Sequence, residues 1–203
     1  MPVPVTVKDR LRRPRPLPFR LGLLPLLFAL VIAVSGCGSA VALSGPLPLT
    51  FSGVDEKSLS DETIDKTESI NSVTGNPYAA FLTIAKNNLG GKNPAAVVVE
   101  DLTLTLVSAT GFQNMQDLLA GPVLIYIKDS KTKLELGRLL APAGQGPQHV
   151  DVTADRTALV PINTTLVEGG DLKIELFSRT NPSRPKTFNA TFRANVYFRA
   201  LAD

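Results

Sequence analysis

The chain has 203 residues, of which 44% are hydrophobic and 19% are charged, as in an ordinary globular protein. Its formal net charge of +3 comes from residues 1–36, which hold six of the 21 basic side chains and one of the 18 acidic ones, so the remaining 167 residues carry 15 bases against 17 acids. The bases of this remainder are scattered among the acids, which argues against a nucleic-acid-binding surface.

The first 36 residues have the layout of an export signal. Six basic side chains within residues 1–20 precede an apolar run at residues 21–34. This run is short for a transmembrane helix, which needs about 20 apolar residues, and Pro25 interrupts it. The segment therefore predicts a cleaved secretory signal peptide rather than a retained membrane-spanning anchor.

A tetrapeptide that ends in a cysteine follows the apolar run, with the sequence Val34, Ser35, Gly36 and Cys37. Cys37 is the only cysteine of the chain, so an internal disulfide is impossible. The tetrapeptide resembles the lipobox of bacterial lipoproteins. The resemblance implies that the Cys37 thiol is alkylated with diacylglycerol, that a signal peptidase cuts just before it, and that the new amino terminus is often acylated. Two or more acyl chains hold a protein stably on a bilayer.

The residues after the cysteine bear on the destination of the protein. Gly38 and Ser39 lack the aspartate that retains lipoproteins at the inner membrane in enteric bacteria. The resemblance therefore implies an exported protein that is anchored by lipid to the outer membrane, on its periplasmic face. One alternative stays open, because Ala40, Val41 and Ala42 form an A-x-A pattern for an ordinary signal peptidase. Cleavage after Ala42 would release a soluble periplasmic protein.

The chain after the cysteine divides by pattern into a tether and a single domain. Residues 37–53 are small, contain proline and lack a clear period, which predicts a flexible tether. Residues 54–203 are then one domain, and its first stretch, 54–76, carries six acids and two lysines. The spacing of these acids does not match a calcium loop, so we expect a solvated face on a helix, an edge strand or a loop.

Periodicity predicts two short helices and a series of strands. Asn76 and Pro77 are typical of a helix cap and first turn, and the segment 115–119 has the spacing of one helical turn. Alternation of apolar and polar residues predicts a strand from residue 96 and a hairpin around the polar turn 129–131. Further strands are predicted at 149–153, 158–162, 164–167, 172–177 and 188–200.

About seven short strands separated by turns predict a mainly β domain. We expect an antiparallel β-sandwich, immunoglobulin-like or jelly-roll-like, with one or two short helices. The last strand alternates most clearly, and its polar face is a possible partner-binding surface. The alternative for this face is a merely solvated side of the sheet. Its candidate residues are Arg193, Asn195, Tyr197 and Arg199.

The residue inventory offers little for catalysis. His149 is the only histidine, and a hydrolase would have to combine it with Asp151 or Asp155, yet no G-x-S-x-G serine motif is present. One histidine and no unlipidated cysteine do not make a zinc site, and the lack of tryptophan argues against a sugar-binding platform. The sequence therefore favours a membrane-tethered, non-catalytic binding or assembly module without cofactor or metal, which meets an envelope protein partner.

Overall fold

The structure is a computed structural model that describes residues 39–202. The predicted signal peptide and Cys37 lie outside the described residues. Two antiparallel sheets packed face to face form the body, which confirms the predicted β-sandwich. Within residues 39–202, no helix is long and apolar enough to cross a membrane.

Ten strands and three α-helices make up the described part of the chain. The strands are β1 (Ala40–Leu43), β2 (Leu47–Asp55), β3 (Thr63–Ser69), β4 (Ala96–Thr110), β5 (Leu119–Lys128), β6 (Lys133–Leu139), β7 (Gln148–His149), β8 (Asp151–Val152), β9 (Lys173–Thr180) and β10 (Asn189–Leu201). The helices are α1 (Pro77–Asn88), α2 (Met115–Leu118) and α3 (Asn163–Glu168), and short 3₁₀ turns lie at Glu56–Ser58, Ile70–Ser72 and Val160–Ile162.

The strand order distinguishes between the two sandwich architectures that the sequence left open. In sheet A, β1 and β2 pair with one side of β10, and β4 and then β7 follow on the other side. In sheet B the order is β3-β9-β5-β6-β8. If β1 is set aside and β7 and β8, which only Val150 separates, are counted as one strand, the eight strands run 1-8-3-6 in sheet A and 2-7-4-5 in sheet B, where the sixth also borders the fifth. This is the order of a jelly roll, whereas in an immunoglobulin sandwich the first strand pairs with the second.

β10 is the centre of the core, as its alternation predicted. It pairs with β4 from Asn189 opposite Thr110 to Leu201 opposite Ala96. Its inward side chains alternate small and large, which suits close packing against a second sheet. The fully or almost fully buried ones are Ala190, Phe192, Ala194, Val196, Phe198 and Ala200.

The predicted tether at residues 37–53 is wrong over most of its length, because β1 and most of β2 lie there. Leu47, Leu49 and Phe51 alternate with polar residues and are buried against the core. Pro48 concealed this period, yet it lies exposed on an edge strand, where proline is tolerated. The folded domain therefore begins near residue 39 and not at residue 54.

The two strands predicted within 158–167 are also wrong, because that segment forms a 3₁₀ turn and α3. The β-branched residues there suggested a strand, but tertiary contacts decide in favour of a helix. Leu166 and Val167 are buried, and the Tyr78 hydroxyl of α1 donates a 2.8 Å hydrogen bond to the Leu166 carbonyl. Gly169, at φ +76°, ends the helix in the left-handed conformation that glycine tolerates.

Most remaining elements agree with the sequence, but the strand predicted at 149–153 is divided at Val150 into β7 of sheet A and β8 of sheet B. The Asn76 side chain accepts a hydrogen bond from the Ala79 N–H and caps α1, whose first residue is Pro77. The predicted turn at 115–119 is α2 with the start of β5, and the hairpin is β5 with β6. Of the three possibilities for the acidic stretch, part of it is an edge strand, because β3 is the outermost strand of sheet B.

Candidate functional site

The four residues singled out on the last strand share the outer face of sheet A. Along β10, Arg193 lies opposite Thr50 of β2 and Thr105 of β4. Asn195 lies opposite Thr103 and donates a 3.5 Å hydrogen bond to its hydroxyl. The backbone alternation that buries Phe192 and Val196 thus turns all four polar side chains outward.

The two arginines of this face differ in their partners. Nε of Arg199 lies 3.0 Å from a carboxylate oxygen of Glu100, so its charge is balanced by the neighbouring strand. Arg193 is exposed and makes no ion pair with any residue of 39–202. Arg193 is therefore the cation on this face that is available to a ligand or partner.

Arg193 also borders a cleft of about 460 Å³ at the edge of the sandwich, which we call the edge cleft. The cleft opens between β2 of sheet A and the end of β3 in sheet B. Lys66 links β3 to β2 at this edge, because its Nζ donates a 2.8 Å hydrogen bond to the Gly53 carbonyl. The lining residues are Pro48, Leu49, Thr50, Glu68, Val73, Thr74 and Arg193.

The edge cleft contains one cation and one carboxyl group that do not pair with each other. Burial raises the pKa of Glu68, and the positive charge of Lys66 opposes that shift only in part. Thr50 and Thr74 add hydroxyl groups, while Pro48 and Val73 add apolar surface. A few polar groups set in apolar surface are typical of a recognition site, and the arrangement can hold a small polar ligand or an extended side chain of a partner.

Two smaller clefts lie elsewhere on the described residues. One of about 440 Å³ lies where the loop before α2 meets the loop after β9. The other, of about 190 Å³, lies between α1 and the end of α3. Neither is lined by a histidine or by a residue of the β10 face, so the edge cleft alone among these three joins the predicted partner surface.

His149 lies on open surface and not with the acids that a triad would use. It belongs to the short strand β7, and 65% of its side chain is exposed. Its Nδ1 lies 2.9 Å from a carboxylate oxygen of Asp101, which the pairing of β7 with β4 brings close. Asp155 instead accepts a hydrogen bond from the Ala158 N–H in a turn. Sequence spacing had pointed to Asp151 or Asp155, because the strand register that supplies Asp101 is not local.

Metal binding has no support from the described part of the chain. Within residues 39–202, no three histidine, cysteine, aspartate or glutamate side chains gather closely enough to hold an ion. The acidic stretch at 54–76 spreads over a strand end, a 3₁₀ turn and β3, so its carboxylates diverge.

A charge cluster on the outer face of sheet B was not predicted from the sequence. Glu175 of β9 is only 2% exposed, and Nζ of Lys128 lies 2.6 Å from its carboxylate. Lys133 pairs with the same carboxylate, and its Nζ also lies 4.3 Å from the ring centre of Tyr126. Burial raises the pKa of Glu175, but the hydrogen bonds from both lysines outweigh it and hold that pKa below its ordinary value.

The sequence did contain a signal for this cluster. Glu175 occupies an outward position in a strand whose neighbours Ile174 and Leu176 are buried, and Tyr126 lies opposite it on β5. Only the register of β5 against β9 brings the lysines to it, and register is not visible in a single strand. The charges of this cluster are satisfied within the chain, so we assign it to stability.

The comparisons with known proteins give no family for this chain. No family model matches it, and no curated protein matches it. Among solved structures, a chain from Desmodium yellow mottle tymovirus is similar over 91% of this chain and 95% of its own length, with 14% sequence identity and a TM-score of 0.34. A similarity at that level carries no argument about function.

Proposed function

We propose that this chain is an exported bacterial lipoprotein, anchored through Cys37 to the outer membrane, whose jelly-roll domain is a non-catalytic binding or assembly module. The observation that carries the proposal is the lipobox-like tetrapeptide Val34–Cys37, which stands between an export-type signal and the first strand. An anchored domain meets its partner at high effective concentration, because both are confined to the same surface.

The position of β1 favours the lipid anchor over soluble release after Ala42. Cleavage there would remove Ala40 and Ala42 from their pairing with Leu201 and Ala200 of β10. It would also separate Val41 from Asn88 of α1, whose side chain donates a 2.7 Å hydrogen bond to the Val41 carbonyl. A cut before Cys37 leaves β1 whole.

The anchor is tested by phase partition of protein made in a two-membrane bacterium. Protein from the membrane fraction is expected to enter the detergent phase, and Cys37→Ser is expected to leave that phase because no acyl chain can be attached. Ser35→Ala is the matched control, since a small residue before the cysteine keeps the tetrapeptide intact. A parent protein that stays in the aqueous phase would sink the proposal.

The partner surface that we propose consists of the edge cleft and Arg193. Arg193 is an exposed cation without an ion pair among the described residues, and it borders a cleft that also offers the Glu68 carboxyl. Recognition there would use charge and hydrogen bonds, which set specificity more than affinity. The partner would be another envelope protein.

Crosslinking in intact cells tests this surface. Arg193→Glu is expected to abolish a specific crosslinked product, because it reverses the charge at the mouth of the cleft. Arg179→Glu is the matched control, since Arg179 is exposed on sheet B and likewise makes no ion pair within the described part of the chain. Equal loss of crosslinking in both variants, or in neither, would contradict the assignment.

The non-catalytic character is supported by the setting of the only histidine. His149 pairs with Asp101 on open surface, and none of the three clefts contains it. The alternative, a hydrolase that uses His149, makes the opposite prediction. His149→Ala would then abolish function, whereas a binding module predicts that this variant gives the same crosslinked product as the parent.

A further inference from the structure

The fold leaves almost no chain between the anchor and the folded body. Gly38 and Ser39 alone separate Cys37 from β1, and the Ser39 carbonyl already accepts a 3.0 Å hydrogen bond from the Ala202 N–H. Two extended residues span at most about 7 Å. A lipid attached at Cys37 would therefore lie next to this end of sheet A.

The end in question is formed by three strand termini, the start of α3 and the end of α1, whose Asn88 side chain bonds the Val41 carbonyl of β1. Ala40 pairs with Leu201, and Leu201 pairs with Ala96 at the start of β4. The Asn163 side chain at the start of α3 donates a 3.0 Å hydrogen bond to the Ala95 carbonyl, so α3 begins here as well. We call the exposed residues of this end the anchor surface, and they are Ser39, Gly90, Gly91, Lys92, Asn93, Val160 and Pro161.

The charge of the anchor surface suits lipid headgroups. Between Glu68 and Glu100 the chain carries two lysines, Lys86 and Lys92, and no carboxylate. The segment 160–167 carries no charge, and Glu168 lies at the opposite end of α3, while Asp155 in the turn before Val160 is followed by the base Arg156. An exposed lysine is attracted to the phosphates of an anionic bilayer surface.

The anchor surface also carries exposed apolar side chains. Val160 is 65% exposed although Leu159 and Ile162 on either side of it are buried, and the exposed Pro161 follows it. Exposed apolar residues together with basic residues are typical of protein surfaces that rest at a membrane interface. The short connection from Cys37 to β1, the positive charge and the exposed apolar residues thus indicate that the same end of the domain faces the lipid.

We propose that the anchor surface rests on the lipid headgroups, and that the strands of sheet A run from this surface away from the membrane. This inference rests on the proposed acylation of Cys37. β10 has 13 residues and at about 3.3 Å per residue extends about 40 Å. The opposite end, where β2 ends at Asp55 beside Asn189, would then be the part of the domain farthest from the lipid. The domain does not hang on a tether but has a fixed orientation.

The absence of tryptophan makes the test direct, because one introduced tryptophan is the only one in the chain. The acylated, full-length mature protein is reconstituted into vesicles of phosphatidylethanolamine and phosphatidylglycerol with brominated acyl chains, which quench tryptophan at short range. Asn93→Trp probes the anchor surface. Lys57→Trp probes the opposite end, in the 3₁₀ turn after β2.

Fluorescence of Asn93→Trp is expected to be quenched several-fold more than that of Lys57→Trp. Val160→Trp is a second probe of the same surface, in case one variant does not fold, and it should follow Asn93→Trp. Equal quenching at the two ends, with acylation confirmed by mass, would overturn this inference and leave the anchor standing. A protein without acyl chains would instead overturn the proposed lipoprotein function, and the orientation with it.

Discussion

Glu175 on the outer face of sheet B and Arg193 on the outer face of sheet A lie in opposite charge environments. On sheet B, Glu175 is 2% exposed and its carboxylate is shared by Lys128 and Lys133. On sheet A, Arg193 is exposed and has no ion pair among the described residues. Charge that is satisfied within the chain serves the fold, whereas charge left to solvent is available to a partner. We therefore expect Glu175 to serve stability and Arg193 to serve recognition.

The largest expected effect tests whether sheet A is complete. The environment of Arg193 depends on the pairing of β2 with β10, since without β2 Arg193 would lie on an edge strand without a cleft. Phe51→Ala should lower the free energy of unfolding by about 4 kcal/mol, because it leaves a cavity in the core. Thr50→Ala, on the exposed face of the same strand, should change it by less than about 0.5 kcal/mol. Urea unfolding measures both free energies. An unchanged free energy of unfolding in Phe51→Ala would mean that β2 does not pack on the core and that this segment is a tether.

The next effect removes the charge balance of sheet B. Glu175→Ala should cost about 2 kcal/mol of unfolding free energy, because it leaves two lysines close together without their acid. The cost stays below that of a fully buried pair, since the two lysine side chains are 28% and 45% exposed and can turn toward water. Glu175→Gln should cost less than Glu175→Ala. If both variants melt like the parent, the cluster contributes nothing to stability.

The same carboxylate predicts an acid dependence. Because the pKa of Glu175 is lowered in the fold, its contribution is fully present above the ordinary value of 4.5 and is lost as pH falls through the lower folded pKa. The stability difference between the parent and Glu175→Gln should therefore be constant above about pH 5 and shrink below that pH. Urea unfolding at a series of pH values measures it. A difference that grows on acidification would have the wrong sign.

A smaller effect of opposite sign is expected in the edge cleft. Burial raises the pKa of Glu68, so the charged carboxylate destabilises the fold at neutral pH, and the penalty vanishes as the group protonates. Glu68→Gln should therefore raise the free energy of unfolding at pH 7, by about 0.5 kcal/mol or less. At pH 3 the variant and the parent should unfold alike. Loss of stability at pH 7 would mean that the carboxylate is paired.

The smallest expected effect on stability belongs to Arg193. Arg193→Ala should change the free energy of unfolding by less than about 0.5 kcal/mol, because it removes an exposed side chain with no ion pair. We expect Arg193→Ala to weaken partner crosslinking in cells and Glu175→Gln to leave it unchanged. A large loss of stability in Arg193→Ala would mean that this face, too, serves the fold.

Local patterns predicted much of this fold, and the failures have physical causes. The alternation over 188–200 gave β10 and its outward residues, since a strand reports its own two faces. Pro46 and Pro48 hid β2, because proline is common in tethers and is equally tolerated on an edge strand. The β-branched Thr164 and Thr165 suggested a strand, but burial of Leu166 and its bond to Tyr78 fixed a helix.

Only part of the candidate site could be predicted from the sequence, for a similar reason. Arg193 could be predicted because its own strand orients it. Glu68, Asp101 and Glu175 take their roles from other strands, and the register between strands distant in sequence is set by the whole core. The edge cleft in particular exists only where β2 and β3, from different sheets, come close.

The mass of the N-terminal peptide of the protein purified from membranes tests the central claim most directly. The account predicts a peptide that begins at Cys37 and carries the added mass of diacylglycerol, with or without a further acyl chain on its amino group. An unmodified peptide that begins at Leu43 would contradict it.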